Sequence, residues 1–376
     1  MATEVLSRRA LNRALLARQG LLAREAVGAA EMVEHLVGLQ AQEPHDPYVA
    51  LWSRTEDFDP ATLSDLLEDR HAVRTQLLRA TIHLVTARDA LVMRSVLAPV
   101  LERHMSAGSL YGGRLRKAGV EPAEVAAAGR ELLESEPRTR AELRTLLGPR
   151  WPQADPTALA QAVTYLVPNV QVPPRGLWRR AGQARFASLE SWLGRPLDPD
   201  AAPDELVRRY LAAFGPATAA DVRAWSGLPG AAAILDRLRP RLRAFRDESG
   251  RELLDVPNGS LPDADTPAPI RYLPVYDNAL LAHADRGRIV DEAHRRRVLQ
   301  LDMISFGSVL VDGFGQAIWR IERDRARDAA TLDVALLEPL EPSDLAEVEA
   351  EGARLLTFLE PSVGTREVRI RHLSTA

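Results

Sequence analysis

Apolar positions along the chain take helical spacing in short stretches, each closed by a turn signal, and the order of these stretches repeats. The pattern predicts helices over residues 7–19, where Leu11 and Leu15 share one face, and over 29–39 and 60–69. Two strands, 73–78 and 81–85, follow around a turn at Arg79-Ala80. A second copy starts with a helix ending at 130–135. Thr139 and Glu142 then form a capping signal that opens another helix, and a third covers 156–166. Strands at 176–180 and 184–187 are expected around Ala181-Gly182-Gln183. The third copy has a helix over 205–214, a break at Gly215-Pro216-Ala217, and the same Thr-x-x-acid signal at Thr218 and Asp221. A helix over 232–238 and strands 242–246 and 252–256 complete it. Three helices followed by a hairpin is the order of a winged helix-turn-helix module.

The last third reads differently. After a linker over 257–269, Ser308 to Val311 and Gln316 to Ile321 flank Asp312-Gly313-Phe314-Gly315, a strong hairpin signal with Phe314 near the tip. An apolar residue on a projecting hairpin can wedge between base pairs, or fold back onto its own domain. The expected fold class is α+β, mainly helical. It comprises three tandem winged helix-turn-helix modules (1–118, 119–197 and 203–258) and a C-terminal β-rich domain with a projecting hairpin (270–376).

Composition narrows the chemistry. The 376 residues contain no cysteine, which removes disulfides, thiol catalysis and cysteine-ligated metals and fits a reducing cytoplasm. No apolar run is long enough to span a membrane, and the N-terminus lacks an apolar signal core. A net charge of −4 gives nucleic-acid binding no support by itself. Lys117 is the only lysine, so the arginine bias reflects codon composition as readily as function. Local basic clusters nevertheless stand out: Arg175 to Arg185, Arg237 to Arg246, and Arg286 to Arg297. A solvated helix or strand face is the ordinary explanation for any one of them.

Three N-terminal motifs occur in a telling order: Leu6-Ser7-Arg8-Arg9-Ala10-Leu11-Asn12-Arg13, Gly38-Leu39-Gln40-Ala41-Gln42-Glu43-Pro44 and Thr81-Ile82-His83-Leu84-Val85. Leu273-Pro274-Val275-Tyr276-Asp277-Asn278, His283-Ala284-Asp285-Arg286 and Val311-Asp312-Gly313 follow. With these the sequence resembles the AlkZ-type (AlkZ/YcaQ) winged-helix DNA glycosylases over almost its whole length. The family includes the azinomycin B resistance enzyme. The resemblance implies hydrolysis of the glycosidic bond of N7-alkylated purines, with unhooking of interstrand crosslinks in some members. It also implies that Gln40 and Gln42 are the catalytic pair, since the family signature is Gln, an apolar residue, then Gln. A related branch carries an acid in the second position and acts on simpler adducts.

Glutamine is no general base near neutral pH. An N7-alkylated guanine already carries positive charge, so its departure needs no acid, and the sugar passes through an oxocarbenium-like state. Two side-chain carbonyls can hold the attacking water and face the developing cation with their negative ends. Residues two apart diverge on a helix but share a face in extended backbone, so the pair converges only if the helix ends near Gly38, as Gly38 and Pro44 permit.

Arg79, Thr81 and His83 on the first wing, Arg286 and Arg288, and Gly313 and Phe314 on the C-terminal hairpin are the expected DNA contacts. His45, His83 and His283 show no metal-ligand spacing and read as hydrogen-bonded core histidines, while Asp277 and Asp285 read as structural. No metal or organic cofactor is expected. The expected partner is double-stranded DNA with alkylated or crosslinked purines, engaged by a monomer through an open channel at the nucleoid, without a membrane. The rival readings are a winged-helix transcriptional regulator without catalysis and a protein-interaction scaffold. A regulator would carry a dimerisation or effector element, and a scaffold has no use for paired glutamines at a helix break.

Overall fold

The computed structural model describes residues 4–303 and 305–373. A short strand β1 (Val5–Leu6) leads into helix α1 (Arg8–Arg18), whose first turn is capped by the Ser7 hydroxyl accepting from Ala10 N–H. Helix α2 (Ala29–His35) stops three residues before Gly38, because Val37 and Gly38 both take positive φ, 56° and 92°. A side chain at Gly38 would also meet Val85 Cγ1 at 2.6 Å. The chain turns back as β2 (Leu39–Gln40), then forms α3 (Asp46–Trp52), α4 (Pro60–Glu68), β3 (Ala72–Gln76) and β4 (Ile82–Thr86). Of these α3 and β2 are not foreshadowed by apolar spacing, which extends to Leu39 a helix that in fact stops at His35. Helix α3 has seven residues and starts on a proline-containing turn.

In the second module, helices Pro122–Ser135, Arg140–Leu147 and Pro156–Leu166 fall where the sequence places them. The Thr139–Glu142 capping box forms with both reciprocal bonds. The wing differs from expectation. Its strands are β5 (Arg138–Thr139), β6 (Asn169–Gln171) and β7 (Arg185–Ser188), and residues 176–180 form turns instead of a strand. Those residues are anchored elsewhere: Tyr48 Oη donates to Gly176 O at 2.8 Å, and Trp178 packs 4.8 Å from the Tyr48 ring and 4.9 Å from Phe358. The first two modules also share one six-stranded sheet, ordered β2-β4-β3-β6-β7-β5, joined where Arg74 pairs with Gln171.

The third module contains helices Pro203–Phe214, Ala219–Ser226 and Ala231–Leu238, then β8 (Arg243–Asp247) and β9 (Glu252–Asp255). The Thr218–Asp221 capping box is complete. The N-terminal β1 joins this wing in parallel with β8, and Arg18 of α1 forms a buried two-pronged ion pair with Asp255, both contacts 2.7 Å. The first helix therefore belongs to the third module as much as to the first.

The C-terminal domain is a five-stranded sheet in the order β10 (Arg271–Leu273), β11 (Gly307–Val311), β12 (Phe314–Asp324), β13 (Ala329–Leu336) and β14 (Thr365–His372). It is antiparallel except for β13–β14, which the helix Pro342–Leu359 connects. The Asp312-Gly313 turn does not project. Asp312 pairs with Arg9 and Arg13 of α1, Asn12 Nδ2 donates to Gly313 O at 2.7 Å, and Arg8 lies 4.9 Å over the Phe314 ring. The exposed end of the sheet is the opposite turn between β12 and β13, including Arg325 and Arg327.

Candidate active site

The helix stop at His35 and the reversal at Val37-Gly38 lay Leu39 to Ala41 along β4, with Gln42 at the bend that follows. Gln40 is in register with His83, and Ala41 N–H donates to Ile82 O at 2.8 Å. Ala41 is fully buried between two outward-turned glutamines, Gln40 half-buried and Gln42 exposed. Alternation along an extended chain puts both amides on the open face. Buried Arg74 fixes the motif from behind, its Nη2 donating to Ala41 O at 2.7 Å.

Arg79, at the β3–β4 turn with φ 53°, ties the motif to the rest of the molecule. Its Nη2 donates to Gln40 Oε1 at 2.7 Å and to Asn278 Oδ1 at 3.4 Å, and its Nη1 donates to Trp225 O at 2.7 Å. Asn278 in turn donates to Gly38 O at 3.1 Å. The first module, the third module and the C-terminal domain thus meet on one guanidinium. Burial, and then the neighbouring charge of Arg286, lower the Arg79 pKa to about 10, which leaves it charged at neutral pH. Gln42 Oε1 is held only by a long contact of 3.4 Å from Ile82 N–H.

Asp46, at the start of α3, is the one carboxyl strongly perturbed near the motif. Burial, with Glu43 and Asp277 adding repulsion, raises its pKa to about 8, and its Oδ2 has no hydrogen-bond partner among the described residues. Asp46 is therefore mostly protonated at neutral pH. Asp277 is committed to structure through a buried two-pronged pair with Arg54, at 2.7 and 2.9 Å. Asp285 likewise accepts from Gly287 N–H and Arg251.

The expected DNA contacts divide by exposure. Arg79 and Thr81 border the site, and Arg286 is half-buried beside Arg79. His83 is fully buried, its pKa lowered to about 3 by burial and by Arg79, so it is a neutral core residue that cannot reach DNA. Arg288 is also buried and donates to Pro216 O at 3.0 Å. Gly313 and Phe314 are packed against α1 as described, so the hairpin expected to project and present them to DNA folds back onto the N-terminal helix. His283 is buried against Phe214 O as expected, whereas His45 is exposed beside Trp178. Arg74 and Asn278 carry no local sequence signal, because their contacts to the motif span more than thirty residues. Among the described residues no cluster of three His, Asp or Glu side chains is arranged to hold a metal.

One cleft borders the motif and a second lies beyond His45. The first, about 480 Å³, lies between the first two modules and is lined in part by Gln42 and Thr81. The other, about 540 Å³, includes His45, Arg179, Arg180, Arg323 and Arg325.

A profile of the AlkZ-like DNA glycosylases matches residues 33–358, a span that holds the motif and the strands β2 to β13. The structure aligns with the Streptomyces sahachiroi DNA glycosylase AlkZ at a TM-score of 0.73 and 20% identity, covering 98% of this chain and 100% of that one. The curated proteins give no match. Fold and family together define a DNA glycosylase, a hydrolase of N-glycosyl bonds acting on DNA. The chain belongs to the AlkZ-like DNA glycosylase family. Four residues in five differ from the Streptomyces enzyme, so that likeness is one of fold.

Proposed function

We propose that this glycosylase hydrolyses the N-glycosidic bond of N7-alkylated purines in duplex DNA, bulky adducts and interstrand crosslinks included. Gln40 and Gln42 place the water and face the cationic sugar. The observation that carries this reading is the two amides flanking buried Ala41 along β4, Gln40 at the end of β2 and Gln42 at the bend that follows it, with Gln42 lining an open cleft. Gln40 Oε1 uses one lone pair on Arg79 and keeps the other for water, and Gln42 is free to turn. Asp46, protonated at neutral pH, is no base there. The cationic purine leaves with the electrons of the glycosidic bond and needs no acid. Water adds to the oxocarbenium carbon and gives its proton to solvent, and the product is an abasic site with its backbone intact.

A monomer would suffice, since one chain supplies every group invoked. In the 540 Å³ cleft Arg179 and Arg323 are paired with Glu360, and Arg180 and Arg325 are the arginines suited to phosphates next to the lesion, with Thr81, Arg79 and Arg286 nearer the sugar. Such an enzyme acts at the nucleoid in the cytoplasm, in alkylation repair and in self-resistance where an antibiotic such as azinomycin B is the alkylator. The test is a duplex crosslinked through two purine N7 atoms, resolved on a denaturing gel after incubation without metal. Separation of the strands by the wild type supports the reading. Release of N7-methylguanine with the crosslink left intact would restrict the activity to small adducts.

A further inference from the structure

The cleft between the first two modules contains two groups that the hydrolysis described above does not use. Gln76 on β3 and Gln171 on β6 line it and are only 5% and 9% exposed. Each has a buried side-chain Oε1 with no hydrogen-bond partner among the described residues. The Gln76 amide is oriented by its own Nε2, which donates to Ala80 O at 3.4 Å, so the free atom is the oxygen. A buried carbonyl without a donor is costly, and native cores rarely keep one. Here two occur in one polar cavity of about 480 Å³, whose lining also includes Gln42. Arg140 also lines it, 5.3 Å over the ring of Phe186, the strand partner of Gln171, and without a carboxylate partner among the described residues. Tyr111 and Tyr165 supply flat sides.

We infer that this cleft reads the Watson–Crick edge of a guanine, Gln76 and Gln171 accepting from its N1–H and N2–H groups while Arg140 donates to O6. Two acceptors and one donor match the two donors and one acceptor of that edge. Adenine offers one donor and a ring nitrogen lone pair, which would leave one glutamine oxygen facing a lone pair. Alkylation at N7 makes the ring cationic and N1–H a stronger donor, so the damaged base fits these carbonyls better than an intact one. N7 lies away from the edge being read, and the cleft is large enough for its substituent to leave through the mouth. The inference rests on the glycosylase reading only in taking the base beside Gln42 as the one released.

The test pairs catalysis with binding. Release of N7-methylguanine and of 3-methyladenine from duplex DNA is measured for the wild type, Gln76→Leu and Gln171→Leu. Each leucine variant should lose about 10-fold or more in kcat/KM on the guanine lesion, against less than about 3-fold on the adenine lesion. Both should melt no lower than the wild type, because an unpaired buried carbonyl is removed. In ligand-observed NMR, free 7-methylguanine should be attenuated by the wild type and by the Gln40→Ala, Gln42→Ala protein. It should not be attenuated by Gln171→Leu, and 7-methylhypoxanthine, which lacks the N2 amine, should respond weakly throughout. Equal losses on both lesions, or equal binding of both free bases, would overturn the inference while leaving the glycosylase reading in place. Selective binding of 7-methylguanine by a protein that releases no base would do the reverse.

Discussion

At the scale of single residues, the site combines two uncharged amides with a carboxyl held in its acid form. Asp46 gains a proton affinity on folding, its pKa rising from 3.8 to about 8, so its contribution opposes folding as soon as the unfolded chain ionises. The penalty is absent below about pH 4, grows by at most about 1.4 kcal/mol per pH unit, and levels off above about pH 8. Asp46→Asn should therefore match the wild type near pH 4 and exceed it by a widening margin up to pH 8, as urea unfolding across that range would show. A margin independent of pH would mean that Asp46 is ionised in the fold. Arg79 supplies the second prediction. Arg79→Ala removes the bond to Gln40 and the links to Trp225 and Asn278, and should lower turnover about 10- to 100-fold, with a smaller effect on DNA affinity. A change confined to affinity would make Arg79 a simple DNA contact. The family resemblance points to Gln40 and Gln42, and Gly38 and Pro44 are the local signals that permit their extended backbone. The sequence does not show the hold of Arg79 on Gln40, Trp225 and Asn278, because these partners lie 39 to 199 residues away along the chain.

Among the elements, the helices opened by the repeated Thr-x-x-acid signal are readable, whereas Ala87–Val96 and Leu110–Lys117 are not foreseen although Thr86 and Ser109 cap them. Both capping boxes form as their Thr-x-x-acid spacing foretells, and Thr218→Ala should cost about 1 kcal/mol in chemical denaturation. The helix α3 has too few residues for a periodic signal. Residues 176–180 resemble a strand by composition, but Trp178 is drawn into an aromatic cluster with Tyr48 and Phe358. Gly38 is the local hinge of the account. With φ at 92° and Val85 close by, Gly38→Ala should destabilise by about 1–3 kcal/mol and also reduce activity, because it displaces the segment that carries both glutamines. A melting point unchanged from the wild type would contradict that.

For the whole molecule, the modules are less separate than their sequence repeats suggest. The first two share a sheet, α1 is bolted to β9 by Arg18 and Asp255, and Arg54–Asp277 fastens the C-terminal loop to the first module. Such joins couple distant parts of the chain and leave no periodic trace. The basic clusters, too, sort only in three dimensions. Arg237, Arg239 and Arg243 of the third module are paired with Asp204, Glu252 and Glu4, whereas Arg180 and Arg325 have no carboxylate partner among the described residues. Substituting Arg180 or Arg325 by alanine should lower the salt slope of DNA binding by about 1, and Arg239→Ala should leave it unchanged. The most direct measurement is of alkali-revealed abasic sites in a duplex holding one N7-methylguanine, for the wild type and for a folded Gln40→Ala, Gln42→Ala double variant. The account predicts release by the wild type and a fall of about 100-fold or more in the variant. Equal release by both would contradict the role of the glutamine pair.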